Sequence, residues 1–336
     1  VKKVKLSFAK GLEVEFVNRE RAVEQIYSFG ERGTRFPIVV FGPEGCGKSA
    51  WLKQAVEIFR EQGFEVIYTD FIHREFIVHT NIKDVTERLI EIASEVTGST
   101  IFKLADTIIS LAKDLLRKWR KKKIALLIDE VFQAIGLDKA EVYVKSLLNL
   151  IEYPPESYED IVIIVATSEG LSRWRIGRHL WALTMPMWNM SKKGFEELYE
   201  KIPKPKPSFE EIWRLTGGNP RILSMLFESM WNANTITSIL VEEKRLTQSF
   251  VNMWRNVLEK AVEDPDILWN FDASEEPVKE LIERNLVVYF LRERSPELWI
   301  DQPPPDKDPE LGVGRHVAWQ TPLHREAVRK ALDMYR

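Results

Sequence analysis

Gly42, Gly47, Lys48 and Ser49 stand in the spacing GxxxxGK[ST], inside the stretch FGPEGCGKSA at 41–50. This pattern suits the holding of a polyphosphate. Glycines let successive backbone N–H groups turn toward phosphate oxygens, the lysine reaches the β and γ groups, and the hydroxyl after it holds Mg²⁺. A second reactive pair lies in KKKIALLIDEV, where Asp129 and Glu130 follow an apolar run from Ile124. Asp129 is placed to bind Mg²⁺ through water, and Glu130 to polarise an attacking water. A third stretch, DIVIIVATSEG (160–170), ends in Thr167 and Ser168. A polar residue there can sense a γ-phosphate or orient the water. Lys48, Glu130 and Thr167 are therefore the expected catalytic residues, with Ser49 and Asp129 on the metal. Pro43, Glu44, Gly45, Cys46, Gly47, Lys48, Ser49 and Ala50 are expected to line the nucleotide.

These residues need a particular scaffold. Arg35–Phe41 reads as a short apolar strand running into the loop, and AWLKQAVEIFREQG as an amphipathic helix closed by Gly63. FEVIYTDF (64–71) reads as another strand, with helices over 84–97 and 102–120. Its position between loop and carboxylates points to a sheet whose acid strand is not next to the loop strand. HLWALTMPMW (179–188) supplies a fifth strand, Ser191 caps the helix SKKGFEELYEKI, and KIPKPKPSFEE breaks the chain. The predicted fold is α/β, a P-loop additional-strand sheet, parallel and doubly wound, with ligand at the C-terminal strand edge. Nucleoside kinases and GTPases do not generally pair two carboxylates as Asp129 and Glu130 are paired.

Flanking motifs narrow this further. FVNRERAVEQIYSFGERG (16–33) precedes the loop strand, and LTGGNPRILSML (215–226) reads as a helix, a Gly-Gly turn and a new helix opened by Asn219-Pro220-Arg221. FVNRERA, GPEGCGKS, ALLIDE, LTMPMWNMS and TGGNPR together resemble, in order, the archaeal ATPase branch of the STAND class, relatives of the AAA+ proteins. The resemblance covers roughly residues 10–240. It implies an ATP- or ADP-binding, Mg²⁺-dependent ATPase with a helical lid. It also implies that Val17, Asn18 and Arg19 pack near the adenine, that Pro220 touches the base, and that Arg221 approaches the phosphates. Asn18-Arg19 as a plain helix cap and Gly218-Asn219-Pro220 as an ordinary turn are the competing readings. Arg173, Arg175 and Arg178 follow the third apolar run; Arg175 or Arg178 is a candidate for stabilising γ-phosphate charge, with surface ion pairs as the alternative. Cys46 reads as a small loop residue.

The C-terminal third differs in charge. Residues 240–336 carry 14 Lys and Arg against 19 Asp and Glu, leaving 34 against 32 upstream, for a net charge of −3. Ile239, Leu246, Phe250, Met253, Trp254 and Val257 recur at helical spacing and are expected in the core. SEEPVKELIERN, the strand NLVVYFL, a proline-rich acidic loop, a second strand in HVAWQ and a last helix suggest a winged helix. The expected division is 1–190 ATPase core, 191–260 helical lid and 261–336 winged-helix-like domain.

A helix carrying four glutamates beside one lysine and one arginine is a poor match for duplex phosphates. Docking on the core or on a protein partner suits it better. The basic run LLRKWRKKKI (115–124) is the one feature that favours nucleic acid, and a solvated helix end explains it as well. In related switch proteins a Met-His-Asp trio closes the winged helix over ADP; here Gln320-Thr321-Pro322 stands near that place, with His324 after it.

One cysteine excludes an internal disulfide, the five histidines form no metal-ligand spacing, and no apolar run could span a bilayer. A cytoplasmic setting is expected. The reading that best unites these features is a slowly hydrolysing ATP-dependent switch with a protein partner or self-association. The alternative is a nucleic-acid-associated ATPase similar to origin-recognition proteins.

Overall fold

The computed structural model describes residues 2–80, 82, 83, 85, 87, 88, 91, 101–168, 170, 176–272 and 275–336. The chain divides into two compact units. The first comprises the N-terminal four residues, 20–41 and 48–185; the second comprises 5–19, 42–47 and 186–336. The boundary passes through the phosphate-loop motif, so that Gly42–Gly47 group with the second unit and Lys48 with the first.

A hairpin of β1 (Lys5–Ala9) and β2 (Leu12–Glu15) opens the second unit, antiparallel and turned at Gly11. The first unit is built on β3 (Ile38–Phe41), β4 (Glu65–Asp70), β5 (Glu75–His79), β6 (Lys123–Asp129), β7 (Asp160–Thr167) and β8 (Leu183–Pro186). Their order across the sheet is β5-β4-β6-β7-β3-β8. β3, β7, β6 and β4 pair in parallel, in continuous registers. Four residues of β3 and all but the first of β6 and β7 are buried, as strands covered by helices on both faces must be. The helices Ile101–Arg117 and Leu137–Glu152 close one face over a core that includes Leu104, Ile108, Leu126, Tyr143, Leu147 and Ile163.

Two expectations are corrected. The sheet has six strands, and its edge strand β5 is antiparallel to β4. Asp70 makes that reversal locally, its Oδ1 accepting from the backbone N–H groups of Ile72 and His73. The acid strand β6 is indeed separated from the loop strand β3, but the strand between them is β7; 65–70 lies on the far side of β6. The predicted helix at 84–97 falls largely outside the described residues.

In the second unit, Ser191, Ser208, Asn219, Asn232, Thr247 and Thr321 each cap a helix, accepting from the backbone N–H three residues on. Each such cap is worth about 1 kcal/mol. Helices Ala233–Glu243 and Gln248–Glu263 pack against the last helix, Pro322–Met334. Their covered face is Leu240, Phe250, Val251, Leu258, Ala261 and Val262. Ile239 and Met253, expected in the core, are 37% and 66% exposed. The long predicted strand at 285–291 is cut to β9 (Val287–Tyr289), paired antiparallel with β10 (Val317–Trp319). Asp266 ties down the connection before β10, accepting from the backbone N–H groups of Arg315, His316 and Val317. The short helix before β9 begins at Val278, and Ser274, at the head of the stretch SEEPVKELIERN, lies outside the described residues.

Candidate nucleotide site

β3 ends at Phe41, and the helix Lys48–Glu61 begins at the motif lysine. Between them the backbone turns through Gly45 (φ 75°) and Gly47 (φ 107°), conformations that favour glycine. Gly42 is required for a different reason. A Cβ there would lie 1.9 Å from the carbonyl oxygen of Met187. Cys46 is buried, with its sulfur 3.7 Å from that same carbonyl.

Within the first unit, the parallel register sets Asp129 opposite Asp70 on one side and Ala166 on the other. Asp129 is fully buried. Its Oδ1 has no hydrogen-bond partner among the described residues, although the carboxylate also bonds Ser49. Burial pushes the Asp129 carboxyl up to about 7, opposed by the Ser49 bond and Lys48 and reinforced by Glu130 and Asp70. A buried carboxylate of that kind, bonded to the motif serine and keeping a bare oxygen, is the donor set that a divalent cation relieves. Among the described residues no cluster of three or more His, Cys, Asp or Glu suited to a metal occurs; Ser49 and Asp129 are the residues that would hold such a cation.

Glu130 follows at φ 52°, a left-handed conformation that turns its side chain off the strand direction. Its backbone N–H donates to the Ala166 carbonyl at 2.9 Å. Ser168 holds the carboxylate: its N–H donates to both oxygens at 3.0 Å and its hydroxyl to Oε1. Thr167 is buried at the end of β7, in register with Phe41. Lys48 is buried at the helix start.

Within the second unit, the loop residues are gripped from several segments. Asn219, buried at the start of helix Pro220–Glu228, donates to the Glu44 carbonyl at 2.9 Å and to Asn189 Oδ1 at 2.8 Å. The Arg221 N–H donates to the Gly45 carbonyl at 3.3 Å. Gln320 Oε1 accepts from the Glu44 N–H at 2.8 Å. Lys244 pairs with the Glu44 carboxylate at 2.9 Å. Desolvation works against the Glu44 charge, yet Lys244, Arg221 and His324 hold its carboxyl below the usual range.

Val17 is buried, and Asn18 bonds Glu197 at 3.0 Å. The Arg19 guanidinium is taken up by Asp301 and by the Cys46 and Trp188 carbonyls. Pro220 is half-buried at the first position of its helix, and Arg221 is exposed, as is Arg178. Arg173 and Arg175 lie outside the described residues. Sequence reasoning passed over Ser168 as a ligand of Glu130, Asn219, Lys244 and Gln320 as partners of the loop segment, and Asp301 as the partner of Arg19. Asn219 alone carried a local signal, a cap residue before a proline.

The parallel sheet, the loop strand set two places from the acid strand, and the glycine turn into a helix define a P-loop nucleotide-binding fold of the additional-strand kind. Residues 16–226 match the model of an ATPase domain family found predominantly in Archaea, and the chain belongs to that family. No curated protein matches the chain. Among solved structures, it is similar to the Walker-type ATPase Paby2304 of Pyrococcus abyssi, with 13% identity, 94% of this chain and 96% of that one covered, and a TM-score of 0.48. It is also similar to the ORC2 protein of Aeropyrum pernix in ADPNP–ADP complexes, with 12% identity, 95% of each chain and a TM-score of 0.40. AMPPCP-bound DnaA from Aquifex aeolicus gives 13% identity, 80% of this chain, 84% of that one and a TM-score of 0.38.

Proposed function

We propose that this chain is a Mg²⁺-dependent ATPase that hydrolyses ATP slowly and uses the difference between ATP and ADP as a conformational switch. The observation that carries the reading is Asp129, a buried carboxylate bonded to Ser49 with one oxygen unpartnered among the described residues. In this reading the backbone N–H groups of the loop and Lys48 bind the phosphates. Ser49 and Asp129 hold Mg²⁺, which offsets charge on the phosphate oxygens when bound. Glu130 orients and deprotonates the attacking water, and Thr167 faces the γ-phosphate. Arg175 or Arg178 remains the proposed source of further positive charge. Val17, Asn18 and Pro220 form the proposed adenine surround, and Arg19 acts there by holding the chain in place.

The switch element of the proposal rests on how Glu44 and Gly45 are held. Asn219, Arg221, Lys244 and Gln320 all bond these two residues. A ligand that moves the loop by even a bond length must remake those bonds, which ties nucleotide state to residues 219–244 and 320. We assign residues 1–190 to the ATPase core, 191–260 to a helical lid and 261–336 to a winged-helix-like domain. A protein partner or a second copy is the proposed receiver of the signal.

The nucleic-acid reading depends on the basic run at 115–124. Lys118 pairs with Asp114, Lys121 with Glu65 and Lys123 with Asp160, so much of its charge is already answered within the unit. No helix among the described residues is long and apolar enough to cross a membrane. Calorimetric titration with Mg²⁺-ATP and Mg²⁺-GTP tests the proposal: ATP should bind, Lys48→Ala should abolish binding, and duplex DNA should leave it unchanged. Preference for GTP, or binding indifferent to Lys48, would contradict it.

A further inference from the structure

Arg19 and Asp301 form an ion pair at 2.8 Å, with side chains only 4% and 7% exposed. They are 282 residues apart in sequence, and Asp301 lies in the connection between β9 and β10, outside every recognisable nucleotide motif. The same guanidinium donates to the Cys46 carbonyl, inside the glycine loop, and to the Trp188 carbonyl at 3.1 Å. Three acceptors on three separate segments therefore share one planar fork, a geometry that a lysine ammonium cannot reproduce.

The backbone at this junction is unusual. Asn18, Arg19 and Asp301 have φ of 53°, 56° and 64°, left-handed values for non-glycine residues. Such conformations cost of order 1 kcal/mol or more each and persist where the surroundings over-determine them. A trans peptide points its C=O and N–H in opposite directions. Holding the Cys46 carbonyl on Arg19 therefore turns the Gly47 N–H the other way, away from the guanidinium, and the φ of 107° at Gly47 completes the turn into the helix.

We infer that Asp301 is a positioning residue for the phosphate loop, acting through Arg19. Its charge orients the guanidinium, the guanidinium fixes the Cys46–Gly47 peptide, and that peptide presents an N–H donor to phosphate. Breaking a buried pair by removing one charge leaves the other uncompensated, so the loop peptide loses its anchor even when the fold survives. The inference rests on the nucleotide-binding reading above and goes beyond it. It makes phosphate affinity depend on a residue far outside the motif.

The test is ATP affinity of the full chain, by titration with Mg²⁺-ATP, for wild type, Asp301→Asn, Arg19→Lys, Arg19→Gln and the double variant Arg19→Gln/Asp301→Asn. Melting curves establish folding. Leu258→Ala, a buried change in helix Gln248–Glu263, serves as a control for lost stability alone. Asp301→Asn and Arg19→Lys should each weaken ATP by about tenfold or more, the scale of one charge-assisted hydrogen bond. Asp301→Asn should add almost nothing in the Arg19→Gln background, because the two act in series. Leu258→Ala should lower the melting temperature and keep its affinity.

Wild-type affinity in folded Asp301→Asn, full additivity in the double variant, or an equal loss in Leu258→Ala would overturn the inference. Should Asp301→Asn fail to fold, Arg19→Lys against Leu258→Ala decides the matter alone. Failure of the wild type to bind ATP is a separate outcome and would sink the nucleotide reading itself.

Discussion

Ser168 donates its backbone N–H to both carboxylate oxygens of Glu130, at 3.0 Å each, and adds its hydroxyl to one of them. A carboxylate offers about four lone-pair sites. In this arrangement most are engaged by one residue, and few are left to accept a hydrogen bond from an attacking water. The hydroxyl bond is the part a substitution can remove. Ser168→Ala should raise basal phosphate release by roughly tenfold, the lower end of what a hydrogen bond to a charged group is worth. KM for ATP should stay unchanged. Steady-state kinetics on the two proteins check this, and a fall in kcat would mean that Ser168 orients Glu130 for reaction and does not restrain it.

Acid sensitivity should trace to His324. It is buried, and burial, with Lys244 nearby and only partly offset by Glu44, pushes its pKa down to about 3. The folded protein thus keeps His324 neutral while the unfolded chain takes up a proton below about 6.5. Stability from this group is complete above that pH and is lost as pH falls from 6.5 toward 3, by up to about 1.4 kcal/mol per pH unit. Urea unfolding of wild type and His324→Gln between pH 7 and 4 should show the wild type falling more steeply. Parallel curves would remove His324 from the account.

Sterics at the loop give a third expectation. Gly42→Ala places a methyl 1.9 Å from the Met187 carbonyl oxygen, so backbone must move, whereas Gly63→Ala meets nothing within 4 Å among the described residues and strains its φ of 82°. Gly63→Ala should cost about 1 kcal/mol, and Gly42→Ala about 1–3 kcal/mol more through forced displacement. Chemical denaturation of both variants measures the difference. Equal costs would show that the Met187 strand end yields freely.

The motif residues were legible because their signals are local. The glycine loop, the apolar run into Asp129 and Glu130, the Ser191 cap and the Gly217–Pro220 turn each declare themselves within a few residues. Asp301, Lys244 and Gln320 do not, since only the folded chain carries them to residues 19 and 44. Helical spacing identified apolar stripes over 235–263 but could not say which would be covered. Phe250, Val251 and Leu258 are buried, and Met253 is left in solvent. The edge strand Glu75–His79 escaped notice because its turn depends on Asp70, a side chain that also reads as the end of β4.

The most direct test of the central claim is phosphate release from Mg²⁺-ATP by wild type beside Glu130→Gln, with ATP affinity measured on both. The substitution keeps the side chain's shape and removes its basicity. Turnover should fall by about a hundredfold or more, within the range for loss of a general base, while affinity stays within a few-fold of wild type. Unchanged turnover in Glu130→Gln would contradict the assignment of Glu130 and, with it, the ATPase mechanism proposed for this chain.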